Sequence, residues 1–145
     1  MTKSSPPGAR ADYKTFHALT TRWGDNDVYG HVNNVIAYAL FDSVVNGHLV
    51  RAGVLDVETS PAIGLVVETS CRYHAPMAFP DVIHAGLRVG HLGRSSVAYE
   101  IGLFRNDEDL AAAEGRFVHV YVDRAGRRPC PIPEATRRLL ESIAV

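Results

Sequence analysis

The sequence predicts an α+β fold in which a five-stranded antiparallel sheet wraps around one long central helix. Three observations carry that expectation. The stretch "NVIAYALFDSVVNGHLVRAG", residues 34–53, contains no proline and is too long for a strand, since strands rarely exceed ~10 residues. Downstream, the apolar period changes to two in four successive segments, each with one apolar face, which is the pattern of an antiparallel sheet covered on one side. Only the 34–53 segment is long and apolar enough to provide that cover.

The elements follow in order. "MTKSSPPGARADY" concentrates Pro, Gly and Ser without an apolar core, so residues 1–12 read as a disordered lead-in and not as a signal peptide. Residues 13–145 read as one domain. Tyr13 to Thr21 is rich enough in aromatic and β-branched residues for a first strand. In the helix, Asn33 or Asn34 suits the N-cap and Gly53 the stop. Ile36, Leu40, Val44 and Leu49 form a stripe, and Val35, Ala37, Ala39, Phe41, Val45 and Val50 spread apolar character around it, as a core helix requires.

After Pro61, strict alternation puts Ile63, Leu65, Val67, Thr69, Cys71 and Tyr73 on one face, with Glu68, Ser70 and Arg72 on the other. "HAPMAFPD" then turns the chain. Ile83, Ala85, Leu87 and Val89 alternate with polar or small residues in the next strand, and Val97, Tyr99, Ile101 and Leu103 do so after the turn "GHLGRS". "RNDED" leads to a last strand, clearest at "GRFVHVYVD", where His119, like His84 earlier, reads as a half-exposed sheet residue. "IPEATRRLLESIAV" closes as a short helix. The four later strands read as a meander-like succession.

Composition excludes several functions. With 46% hydrophobic residues and a net charge of -1, no electrostatic footprint for nucleic acid or an anionic membrane is present. No run reaches the ~18 apolar residues of a membrane span. Cys71 and Cys130 form neither a CxxC nor a zinc-like spacing with histidine, and two reduced thiols fit a cytoplasmic protein.

The densest polar stretch, "RWGDNDVYGHVNN" at 22–34, abuts the helix. As a calcium loop it fails, because Ile36 falls where a bidentate glutamate is needed. No HxxxH, HExxH, GxSxG or glycine-rich phosphate loop occurs. General-base chemistry remains. A carboxylate just before a buried helix can lie beside its free N–H groups and positive dipole end. Those donors can hold the oxyanion of an attacked carbonyl while the carboxylate activates water or attacks it directly. Spacing alone leaves an equal alternative, in which Asp25 and Asp27 only complement the dipole and hold the loop.

"TRWGDNDVYGHVNNVIAYALFDSV" resembles the signature of the hotdog-fold acyl-CoA thioesterases of the 4-hydroxybenzoyl-CoA thioesterase type, including the YbgC/FadM-like branch. The strand patterns and terminal helix follow that layout over nearly the whole chain past residue 13. The resemblance implies a sheet around a central helix. It also implies a homodimer joined sheet edge to sheet edge, or a dimer of dimers (a homotetramer), with active sites at the dimer interface. It places the catalytic carboxylate on Asp27, with Asp25 and Asn26 as loop bracing, and the oxyanion-facing amide on or next to Asn34. Gly30 lets the backbone approach the substrate, and His31 and Asn33 occupy the "GHVNN" positions, where His31 either assists through a hydrogen bond or braces the loop. A second subgroup uses a helix glutamate; residues 33–53 hold only Asp42 as an acid, which favours Asp27. The turn "GRSS" puts Arg94 and Ser95 near coenzyme A, where a guanidinium can pair with phosphate, or leaves them as solvated turn residues. The implied activity is hydrolysis of an acyl-CoA thioester with no metal and no redox cofactor, coenzyme A being part of the substrate. Two alternatives stay open: an acyl-thioester hydratase or dehydratase on the same fold, and a non-catalytic acyl-CoA or acyl-carrier binding module.

Overall fold

A computed structural model describes residues 5–145. It contains β1 (Thr15–Thr20), α1 (Asn34–Arg51), β2 (Ala62–Tyr73), β3 (Val82–Leu92), β4 (Ser96–Arg105), β5 (Ala113–Asp123) and α2 (Glu134–Ser142). The five strands form one antiparallel sheet in the order β1-β3-β4-β5-β2. Its concave face packs on α1, so the predicted sheet around a central helix is what forms. None of the helices among the described residues is long and apolar enough to cross a membrane.

The start of α1 is set by Asn33, whose side-chain oxygen accepts the Val35 N–H at 2.9 Å, and its end by Gly53 at φ +78. The buried side of the helix is Ala37, Phe41, Val44, Val45 and Leu49, rather than the stripe beginning at Ile36 and Leu40, which are half-buried. Phe41 enters a notch in β5 at Gly115, where a Cβ would lie 2.9 Å from its ring. Val35 and Val50 are exposed, because a single sheet covers only one side of the cylinder.

Two further expectations are corrected. Only β3, β4 and β5 form a meander; after β2 the chain crosses the helix end, so that β2 pairs with β5 at the far edge. Within β2 the alternation is broken by a bulge: Val66 faces His119 and Glu68 faces Val118, leaving Val67 extra. Gly64 and Val66 therefore share the helix-facing side with Thr69, Cys71 and Tyr73, while Ile63 and Leu65 turn to the other face.

The lead-in expected to be disordered is fixed from Gly8 onward. Gly8 N–H donates to Glu114 Oε1 at 2.8 Å, Ala111 N–H donates to Gly8 O, and Arg10–Asp12 form a 3-10 turn; residues 1–4 lie outside the described residues. Tyr13 precedes β1 and lies across the outer sheet face on the paired glycines Gly86 and Gly102, where a Cβ would come within 2.8 Å and 2.6 Å of it. Arg88 stacks over its ring at 4.8 Å.

β1 and α1 meet through two histidines, His17 Nε2 lying 3.2 Å from His48 Nδ1. Burial and the nearby Arg51 hold His17 below the ordinary imidazole value, and burial, His17 and Arg51 do the same for His48. The unfolded chain therefore binds more protons once pH falls below ~6.5, and folding stability present above that value is lost as pH drops. We expect the melting temperature to fall between pH 7.5 and 5.5, and the fall to be smaller in a His17→Gln/His48→Gln variant.

Candidate active site

The loop before α1 divides its polar residues between support and exposure. Asp25, 3% exposed, ends a 3-10 turn at Trp23–Asp25, and its carboxylate accepts Arg22 N–H at 2.8 Å and Arg22 Nη2 at 3.2 Å. Its carbonyl accepts Asn33 N–H at 2.9 Å, tying the loop to the helix cap. Asn26 Oδ1 accepts Phe79 N–H at 3.0 Å. Both residues thus brace the loop.

Asp27 is held differently. Its Oδ1 accepts Tyr29 N–H at 2.9 Å, and its backbone closes a turn in which Gly30 N–H donates to Asp27 O and Asp27 N–H to His31 O. Gly30, at φ +84, supplies the left-handed conformation of that turn, and nothing lies within 4 Å of where its Cβ would be. Asp27 Oδ2 sits 3.4 Å from His31 Nδ1. His31 Nδ1 also lies 3.2 Å from Val32 O. Both neighbours of Nδ1 are oxygen acceptors, so Nδ1 carries the hydrogen and, in the neutral ring, Nε2 keeps the lone pair.

Beside this loop lies a cavity of about 610 Å³ lined by His31, Val32, Asn34, Tyr73, His74, Ala75, Pro76 and Met77. Asn34, the first residue of α1, is exposed at its mouth, and Tyr73 Oη donates to Asn34 O at 3.5 Å. His74 is fixed by Glu114 at 3.0 Å. Of the residues singled out from sequence, His31 and Asn34 face the cavity, Asp27 stands behind His31, and Asn33 serves as the helix cap. Tyr73, His74, Pro76 and Met77 were not foreseen as a site wall. Their only signal was the histidine and two prolines of "HAPMAFPD", read as a turn.

Arg94 and Ser95 are not brought to this place. They sit in the β3–β4 turn, where Ser95 O accepts Tyr121 N–H and Arg94 O accepts Ile132 N–H. β4 separates them from the Asp27 end by ten residues, roughly 33 Å of strand.

The profile of the thioesterase-like superfamily matches residues 21–140 of this sequence. The chain belongs to the thioesterase-like superfamily. Its architecture is the hotdog fold of these thioesterases. Among solved structures, the PA5185 protein of Pseudomonas aeruginosa strain PAO1 is 50% identical, superposes with a TM-score of 0.93, and aligns over 96% of this chain and 97% of its own. PA2801 of Pseudomonas aeruginosa, described as a candidate thioesterase, is 28% identical with a TM-score of 0.80 over 88% of this chain and 98% of its own. Slr0204 of Synechocystis, a 1,4-dihydroxy-2-naphthoyl-CoA thioesterase, shares the fold at 13% identity, with a TM-score of 0.78 over 86% and 93%. No curated protein matches the sequence. Membership supports thioester hydrolysis as the class of reaction of this thioesterase.

Proposed function

We propose that this thioesterase hydrolyses an acyl-CoA thioester of the 4-hydroxybenzoyl-CoA thioesterase type to free acid and CoA, with Asp27 as the catalytic carboxylate. One observation carries the proposal. The only carboxylate of the loop that is neither buried nor ion-paired to an arginine, Asp27, stands beside a histidine at the mouth of a cavity that opens on the N-terminus of α1. Asp27 would draw a proton from water, or attack the carbonyl to give a mixed anhydride. The amide at or beside Asn34 would face the oxyanion, helped by the dipole of an eighteen-residue helix. The Synechocystis neighbour's CoA thioester supports coenzyme A as the leaving thiol. A second arrangement has its own support: His31, not Asp27, lines the cavity, so its Nε2 could act as the base with Asp27 orienting the ring.

The assembly we infer is a homodimer through β2. Among the described residues this twelve-residue strand pairs only with β5, and its free edge carries Val66 and Val67 exposed, with Tyr73 half-exposed at its end. Antiparallel pairing of two β2 edges would lay the Tyr73 end of one subunit, with its Asp27 loop, against the Ala62–Gly64 end of the other. Arg94 and Ser95 stand at that second end, where they could reach coenzyme A held at the partner's loop. No metal and no redox cofactor takes part in this scheme.

The test is release of free thiol from a panel of short, long and aromatic acyl-CoAs. A purified enzyme that binds acyl-CoA tightly but liberates no thiol from any member would overturn the hydrolase assignment in favour of a binding module. Loss of substrate without thiol release would point to a hydratase.

A further inference from the structure

His74 stands in the wall of the cavity at the start of α1, and the proposed chemistry does not use it. His31 and Asn34, in the same wall, belong to the reacting end, and Tyr73 Oη is engaged by Asn34 O. The place of His74 is built, not incidental. Its backbone N–H and that of Ala75 both donate to Ala112 O, at 2.8 Å and 3.1 Å, which pins the chain just past β2. The ring is held by Glu114 of β5, whose Oε1 lies 3.0 Å from Nε2. The same Oε1 accepts Gly8 N–H at 2.8 Å, so the segment before β1 braces the carboxylate in turn.

This bracing decides what the ring offers to a ligand. A carboxylate only accepts, so Nε2 carries the hydrogen, and in the neutral ring Nδ1 keeps its lone pair. Nδ1 has no hydrogen-bond partner among the described residues. An acceptor in a cavity wall calls for a donor. The thioester group itself carries acceptors only. The nearest N–H of an acyl-CoA belongs to the amide of its thiol arm, two methylenes from the sulfur. The start of α1 and His74 line one cavity, so that short unit can meet both at once. An anionic group matches poorly, because the charge of Glu114 lies only 3.0 Å from the ring.

We propose that His74, oriented by Glu114, accepts the hydrogen bond of the thiol-arm amide and so fixes the thioester against the start of α1. His74 then binds substrate, while Glu114 is a positioning residue that acts through it. The inference rests on the acyl-CoA thioesterase reading and extends it to the thiol side of the substrate. It also gives Gly8 a part in the site, since its N–H steadies the carboxylate that aims the ring.

Two experiments separate this contact from the reaction. Pantetheine, the thiol arm of coenzyme A, is titrated into the intact protein while the His74 ring nitrogens are followed by NMR. We expect Nδ1 to shift with pantetheine and not with propanethiol, which lacks the amide, and Glu114→Ala to abolish the shift. An unmoved Nδ1, or equal shifts with both thiols, overturns the contact whether or not the protein is an enzyme. Next, kcat/KM is compared for one acyl group carried on N-acetylcysteamine, which keeps the amide, and on pentanethiol, an alkyl chain of similar length. We expect the amide-bearing ester to be preferred by ~10-fold, through KM, and His74→Ala to bring the two esters level. Glu114→Ala should lose most of the preference, and Glu114→Gln, whose amide oxygen still accepts the Nε2 hydrogen, should keep it. No preference in the wild type, or an equal loss on both esters in His74→Ala, overturns the role in binding. Absence of thiol release from both esters and from acyl-CoA overturns the thioesterase reading and leaves the pantetheine result to decide the contact.

Discussion

Replacing Asp27 by asparagine is expected to lower kcat for the best acyl-CoA by ~10³-fold with KM nearly unchanged, in line with removal of a general base. The fold should tolerate it, because an amide oxygen can still accept the Tyr29 N–H that Asp27 Oδ1 now accepts at 2.9 Å. Asp25→Asn gives the contrast. That carboxylate is buried and bonded to both the backbone and the guanidinium of Arg22, so its loss should cost on the order of 1.5–3 kcal/mol of stability while kcat of the folded fraction changes little. His31→Gln then separates the two arrangements. If Asp27 acts directly, His31→Gln should cost less than ~10-fold; if His31 is the base, it should cost as much as Asp27→Asn. Full activity in Asp27→Asn would remove the carboxylate from the mechanism altogether. Thiol release under saturating and limiting substrate reads all three variants.

Val67→Lys should convert the proposed dimer to monomers and lower activity on the order of 100-fold at equal protein concentration. Val67 is the extra residue of the β2 bulge, 61% exposed and near the middle of a long edge that the sheet leaves open among the described residues. Pairing two β2 edges about their centre would place the two lysines close together, and like charges facing across strands oppose pairing. An active site assembled from two chains loses its positioning when they part, and a misplacement of about 1 Å can already cost 10²-fold. Sedimentation velocity across a dilution series, run beside the thiol assay, checks both halves of the expectation. A wild-type protein that sediments as a monomer with full activity would remove the two-chain site.

The helix and the strands were legible because their signals are local. A proline-free run of twenty residues ends at a glycine that does adopt φ +78, and its first amides meet an asparagine cap. The bulge was not legible. One extra residue inverts the parity of everything before it, and Val67 is as good a strand residue as its neighbours, so nothing in "GLVVETS" marks the break. The neighbour of β2 was equally hidden, since sequential order suggests β3 and only tertiary packing selects β5. At the site, Asp25 and Asp27 look alike in sequence; full burial of one against Arg22 and partial burial of the other beside His31 separate them. His119 was misjudged because strand alternation does not say which face meets the helix. The structure puts it inward between Phe117 and Tyr121.

Tyr13, Gly86 and Gly102 carry a consequence for how this chain can change over generations. Because the tyrosine ring occupies the space two β-carbons would need, the three positions behave as one inherited unit. A lineage that first loses the tyrosine ring is freed at Gly102, whereas at Gly86 the β-carbon of residue 13 and the Phe16 ring, at 2.8 Å and 3.0 Å, still oppose a side chain. A lineage that tries the glycines first meets a clash, so the order of mutational steps across this part of the sheet is constrained even far from the reacting atoms.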